Sequence, residues 1–241
     1  MSPLLELDGV SAAYGPFRAV FDVSLVVRPG EAVALLGPNG VGKTTVARLA
    51  TGLVSPTQGA VRVDGDDLTG APAHRFARAG IAHAPEGRSV FATLTVEENL
   101  RLSFRRSKGR RAVPAALDRA FAQFPALAGR RRQLAGTLSG GEQRMVSLAR
   151  VLVEAPKLLV ADELSLGLAP IVVDEIYKEL ARLREEGTAL LIIEQHVASA
   201  LALCDRVVLL DHGSVTWEGP AADAEHRVVA RAFDRAPTAE P

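Results

Sequence analysis

One cysteine, Cys204, stands in 241 residues. A lone thiol can form no internal disulfide, which agrees with a reducing compartment. Net charge is missing too: Lys and Arg number 28 and Asp and Glu 28, so no overall field draws the chain to nucleic acid or to an anionic membrane. Long apolar runs are also lacking. Residues 32–36 (AVALL), 157–161 (KLLVA) and 189–193 (ALLII) fall far short of the ~18 residues that span a bilayer. The opening residues, MSPLLELDGV, show no basic stretch, long apolar core and small-residue cleavage site in succession, and a cytosolic chain is expected. Lysine is scarce: Lys43, Lys108, Lys157 and Lys178 are the only four among the 28 basic residues, so the position of one of them carries information. What is present is ordinary for a globular protein, 48% hydrophobic and 23% charged. That composition excludes general disorder and suits one large α/β domain, or a core with a small insert.

The first thirty residues alternate in the strand manner (LLELDGV, then FDVSLVV) around YGP and RPG turns, which predicts a small antiparallel sheet. EAVALLG then reads as a buried strand, followed by a Gly-rich turn and the helix TTVARLATGL. Residues 59–65 and 81–85 read as strands flanking a short helix at 72–80. From about Thr95 to Leu134 no strand pattern occurs. VEENLRLSF and AALDRAFAQF instead carry helical spacing around the Arg-rich break RRSKGRR. This predicts an inserted helical subdomain, about 88–140, in a single domain of residues 1–235 with a frayed tail at 236–241. Farther on, helix and buried strand alternate (GEQRMVSLARVLVEA, KLLVADE, IVVDEIYKELARLREEG, TALLIIE), the pattern of a parallel sheet covered on both faces. A hairpin turning at His212 and Gly213 follows.

Residues 37–44 read GPNGVGKT, a full match to G-x-x-x-x-G-K-[ST], placed between a predicted strand and a predicted helix as that phosphate loop requires. Gly37, Gly40 and Gly42 let the backbone wrap closely with its N–H groups inward, together with Pro38, Asn39, Val41 and, at the helix start, Thr45. Lys43 is expected to reach the β and γ phosphates of a nucleoside triphosphate, and the Thr44 hydroxyl to coordinate Mg²⁺. Farther along, LLVADE (158–163) puts Asp162 and Glu163 at the C-terminal edge of a buried strand, where ligands of open α/β sheets bind. In that place Asp162 would hold Mg²⁺ and Glu163 would polarise the attacking water as a general base.

Residues 138–143 read LSGGEQ (Leu138, Ser139, Gly140, Gly141, Glu142, Gln143), about twenty residues before the acid pair and at a helix start. With these three motifs in this order, nearly the whole chain resembles the ATP-binding subunits of ABC transporters. The resemblance implies a P-loop NTPase fold of the ABC nucleotide-binding type, with an N-terminal antiparallel β subdomain and an inserted α-helical subdomain. It also implies ATP hydrolysis with Mg²⁺, and a signature segment that serves the ATP of an opposite subunit through Ser139 and the N–H groups of Gly140 and Gly141. Tyr14 matches the aromatic residue that stacks on adenine. SLGLAP (165–170) matches the segment that crosses the dimer interface, with Leu168 where the family has Asp. Leu164 replaces the usual Pro after Glu163, and a looser turn is expected there. Glu86 occupies the strand-end position usually held by a Gln that senses the γ phosphate and the metal, and is a candidate metal ligand. The γ-phosphate His of the family is replaced in register by Gln195, with His196 next. Either could serve, and Gln195 is favoured because neighbours on an extended segment point to opposite sides.

The stretches at 85–100 and 165–170, with the IIEQ sequence, resemble one ATPase of branched-chain (hydrophobic) amino acid importers, and members for urea and short amides look alike there. Implied partners are a second ABC ATPase subunit, identical or related, the transmembrane permease subunits and, indirectly, a periplasmic or extracellular solute-binding protein. The implied place is the cytoplasmic face of the plasma membrane. A soluble, non-transport ABC ATPase is the alternative, though the chain has no long coiled coil, second cassette or basic patch suited to such work. The clusters RRSKGRR and GRRRQ carry no interleaved aromatics, so no nucleic-acid partner is expected.

Overall fold

The computed structural model describes residues 2–87, 89–107, 109–152, 155–194 and 197–224. Among them, ten strands form two sheets. β1 (Leu5–Tyr14), β2 (Phe17–Val27), β4 (Gln58–Val63) and the two-residue β5 (Asp66–Asp67) make an antiparallel sheet in the order β2-β1-β4-β5. β3 (Ala32–Leu36), β6 (Ile81–Ala84), β7 (Leu158–Asp162), β8 (Ala189–Glu194), β9 (Arg206–Asp211) and β10 (Ser214–Pro220) make the second, in the order β10-β9-β3-β8-β7-β6, parallel except for the hairpin strand β10.

The central strands β3, β7 and β8 are buried at every residue, which is why their sequences are continuous apolar runs without polar alternation. Successive side chains still go to opposite sides. Ala32, Ala34 and Leu36 pack on the layer of helices, whereas Val33 and Leu35 pack toward the antiparallel sheet and the helix after β3. Two hydrophobic layers therefore share one sheet between them.

Between β6 and β7 the described α-helices are α3 (Val96–Ser107), α4 (Val113–Gln123), α5 (Pro125–Ala128) and α6 (Gly140–Leu152). α3 and α6 each start on a reciprocal capping box. Thr95 Oγ1 accepts from the N–H of Glu98, whose carboxylate accepts from the N–H and hydroxyl of Thr95 at 2.8 Å. Ser139 and Glu142 do the same for α6. The remaining helices are α1 (Lys43–Ala50), α2 (Ala73–Arg78), α7 (Pro170–Glu185) and α8 (Val197–Leu203). The hairpin between β9 and β10 turns at His212 (φ 46°) and Gly213 (φ 78°) as expected. A Cβ at position 213 would lie 2.6 Å from the Phe21 ring and 2.8 Å from the Ala19 carbonyl, so only glycine fits. Because β3, β8 and β7 are neighbours and parallel, their C-terminal ends place residues 37–44, Glu194 and Asp162 along one edge.

Candidate functional site

The loop after β3 enters α1 through Gly42, whose φ of 106° is left-handed and whose Cβ, were there one, would lie 2.5 Å from the Ala19 carbonyl. Glycine is required there both by conformation and by space. Lys43 is 3% exposed. Its Nζ donates to the carbonyls of Gly37 and Pro38, each at 2.9 Å, and lies 3.4 Å from Glu163 Oε1. The loop thus holds its own ammonium at its centre, beside the acid pair 120 residues away in sequence.

Thr44 Oγ1 lies at 3.4 Å from Asp162 Oδ1, donating to it. Asp162 is 1% exposed and Glu163 7%. Burial pushes the Asp162 carboxyl up to about 6, and the adjoining Glu163 carboxylate adds to the rise; the Thr44 hydroxyl opposes it. This corner is short of positive charge, and its donors are hard oxygens, which suit a divalent cation such as Mg²⁺. Glu163 has φ 47°, a left-handed conformation that costs a β-carbon residue roughly 1–2 kcal/mol. The turn is nevertheless well held. The Glu163 N–H donates to the Ile193 carbonyl at 2.8 Å, and Arg144 donates to the Glu163 carbonyl at 3.1 Å. Ser165 donates through N–H (2.9 Å) and hydroxyl (2.6 Å) to the buried Glu194 carboxylate. Leu164, expected to loosen this turn, is 2% exposed and packs in the core: the missing proline is made good by packing and by side-chain hydrogen bonds.

Ser139 caps α6, with Glu142 tied to Ser139 and to Arg130 Nε at 2.6 Å. Gly141 packs against Val172, where a Cβ would come within 2.8 Å. Leu138 and Gln143 are buried, and Gln143 Nε2 donates to the Ala135 carbonyl at 2.8 Å. Leu168 packs against the helical core. Tyr14, at the end of β1, is 43% exposed and accepts a hydrogen bond from Arg48 of α1 at 3.3 Å, so its ring stands beside the helix that the phosphate loop opens. Glu86 lies in the exposed bend after β6, and its charge is felt at Asp162. Gln195 and His196 lie outside the described residues.

A family model described as "ABC transporter" matches residues 20–165, which contain the phosphate loop, the signature and the acid pair. The chain belongs to the ABC transporter family. It is similar to the high-affinity branched-chain amino acid transport ATP-binding protein BraG of Pseudomonas aeruginosa, at 42% identity over 91% of this chain and 94% of that one. It is also similar to the lipopolysaccharide export system ATP-binding protein LptB of Haemophilus influenzae, at 36% identity over 90% of each. A solved ATP-binding subunit of an ABC transporter superposes with a TM-score of 0.81 at 29% identity, over 95% of this chain and 94% of that one. The protein is an ATP-hydrolysing ABC subunit of a transporter, and the non-transport alternative is not favoured by these relatives.

Away from the phosphate loop, this ABC subunit has a cleft of about 650 Å³ between the end of α1, β6, the segment 85–91, α3 and α6, lined among others by Leu53, His83, Phe91 and Arg150. Phe91 is 47% exposed, with the Arg150 guanidinium 5.4 Å from its ring centre. Asn99 fixes the approach to α3 by accepting from the Phe91 N–H and donating to the carbonyls of Phe91, Leu94 and Thr95. His83 Nε2 is buried without a hydrogen-bond partner among the described residues. Burial, with a contribution from Arg48, holds the imidazole down at about 4. Since the folded value lies below the ordinary 6.5, His83 stays neutral in the native protein while the unfolded chain takes up a proton. Stability is therefore expected to fall as pH drops from about 6.5 to 4, by up to roughly 3 kcal/mol from this residue. Urea unfolding of the wild type and His83→Gln across that range checks it, and a variant with the same pH slope would refute it.

Three buried groups of the site escaped the sequence reading: Arg144, Ser165 and Glu194. No local sequence signal marked Arg144: only the fold shows that its helix is buried almost all round, where a charged residue must find partners inside. The lone cysteine, Cys204, is buried, and burial pushes its thiol up to about 12.

Proposed function

We propose that the chain powers an importer of branched-chain amino acids or related small solutes such as urea and short amides, by ATP-driven closure of two nucleotide-binding subunits. The observation that carries the catalytic part is the Lys43, Thr44, Asp162 and Glu163 cluster, assembled within 3.4 Å contacts at the edge of the parallel sheet. ATP would lie with its phosphates in the loop at 37–44 and its adenine on Tyr14. Mg²⁺ would be held by Thr44 and Asp162, with Glu86 as a further ligand, and would neutralise charge on the phosphates. Glu163 takes the proton of the attacking water, while Lys43 holds the β and γ phosphates. The signature residues 138–143 would meet the ATP of the opposite subunit, so ATP binds the closed dimer more tightly than the open one, and only that difference moves the equilibrium. Gln195, or His196, would contact the γ phosphate.

The remaining parts of this reading follow from the transport role. The helical subdomain, at about 88–140, would be inserted in one domain of residues 1–235, of which the part beyond 224, like the tail at 236–241, lies outside the described residues; the cleft beside Phe91 would receive a cytosolic loop of the permease. The chain then works at the cytoplasmic face of the plasma membrane, supplied by a solute-binding protein on the other side, with no nucleic acid. The importer reading is supported by the 42% identity to BraG. Its test is uptake of labelled leucine, isoleucine and valine by cells lacking the chain. Uptake is expected to be lost, and restored by the wild-type chain but not by Glu163→Gln. Unchanged uptake with impaired lipopolysaccharide export would overturn the importer reading in favour of the activity that LptB is named for.

A further inference from the structure

Arg144 is the fifth residue of α6, 4% exposed, and its guanidinium spans two strands' worth of the site. Nη1 donates to the carbonyls of Pro85 (3.1 Å) and Gly87 (2.5 Å), and Nη2 to the carbonyl of Glu163 (3.1 Å). The first two carbonyls flank Glu86; the third belongs to the residue that activates water. Both Nη groups thus grip the backbone of a segment carrying a functional carboxylate. The carboxylates of Glu194, Glu86, Asp162 and Glu163 all act on this one cation. A planar fork with donors fixed in direction can hold three carbonyls at once, which the single point of a lysine ammonium cannot. The same helix begins at Ser139, only ~7.5 Å away along its axis at 1.5 Å per residue, and is locked to it by the Ser139 and Glu142 cap.

We propose that Arg144 is a positioning residue that couples the signature end of α6 to the same subunit's own Glu163 and Glu86, so that engagement of the partner's ATP at Ser139 sets the water-activating group in its own site. The coupling rests on the reading of Glu163 as general base. A shift of α6 on closure moves the guanidinium, which moves the carbonyls of Glu163 and of the 85–87 bend together. Hydrolysis in one site is thereby made to depend on occupancy of the other.

The test compares Arg144→Met and Arg144→Lys in full-length protein with the wild type and Glu163→Gln. Because a positional error near 1 Å costs on the order of 10²-fold, kcat is expected to fall about 10–100-fold in both Arg144 variants. KM for ATP should stay within about threefold, since the phosphate loop is untouched, and the Hill coefficient of hydrolysis should fall toward one. The Lys variant retains a cation in the buried pocket and so guards against loss of folding in the Met variant. Full activity in Arg144→Lys, or an equal loss of ATP affinity and kcat in both variants, overturns the positioning role. If Glu163→Gln is inactive while the Arg144 variants turn over normally with unchanged Hill coefficient, the positioning role and the coupling both fall and the reading of Glu163 stands. If Glu163→Gln keeps normal turnover, the reading of Glu163 falls and the coupling with it.

Discussion

Replacing Glu163 with glutamine is expected to lower ATP turnover by ~10²–10⁴, the usual worth of a positioned general base, while nucleotide binding survives. Gln keeps the shape and the left-handed turn, whose backbone is held by Ile193 and Arg144 independently of the side chain. What it loses is the ability to accept a proton from water. Binding should persist because Lys43 remains anchored on the Gly37 and Pro38 carbonyls. One negative charge beside the triphosphate also disappears, so affinity should hold or rise. A subunit that binds ATP without hydrolysing it accumulates the closed state. Light scattering of the variant with and without MgATP therefore reads dimerisation directly. A doubling of molar mass shows that two copies complete both sites and that Leu168 in the crossing segment permits closure. A monomer that still binds ATP points to a related second chain as partner. Near-normal hydrolysis would remove Glu163 from the role of base.

Much of this site could be read from the sequence because phosphate binding makes local demands. A loop that wraps a phosphate needs glycines at fixed spacing, one cation and one hydroxyl within eight residues, and residues 37–44 meet all of these. The acid pair was legible for a related reason: an apolar run ending in two carboxylates has few other uses when a phosphate loop is present. The strands of the parallel sheet were equally plain, since burial on both faces leaves uninterrupted apolar runs. The contacts that position Glu163 were not legible. Arg144 reaches Pro85 across 59 residues and Glu163 across 19, and Ser165 meets Glu194 across 29. No local pattern specifies such meetings; they follow from strand order, which sets β7 between β8 and β6, and from α6 packing on β6. The expectation that Leu164 loosens the turn failed for the same cause, since the turn is secured by residues distant in sequence. Charge told less still: the zero net value conceals a corner where Asp162, Glu163 and Glu194 are buried with Lys43 and Arg144.

Removing Lys43 should have the second large effect, and on a different quantity. The Lys43 ammonium is buried at the centre of the loop and aimed by the Gly37 and Pro38 carbonyls. Each hydrogen bond to a charged group is worth about 1.5–3 kcal/mol, and Lys43 is expected to reach two phosphates. Lys43→Ala should therefore weaken ATP binding by ~10²–10⁴, measured by equilibrium titration, and unchanged affinity would refute the assignment of the loop. Lys43→Arg should not restore it, because a guanidinium is larger than a site that leaves Lys43 3% exposed and cannot make the same point contacts. The substitution also takes away the cation 3.4 Å from Glu163, and loss of one partner of a buried pair is destabilising by about 3 kcal/mol or more. Stability and affinity are separable here. The double variant Lys43→Ala with Glu163→Gln should recover much of the lost stability, since the carboxylate that lost its cation is neutral, yet none of the ATP affinity, since the phosphates still lack theirs. A double variant that regained both would mean that Lys43 acts on ATP only by holding Glu163 in place.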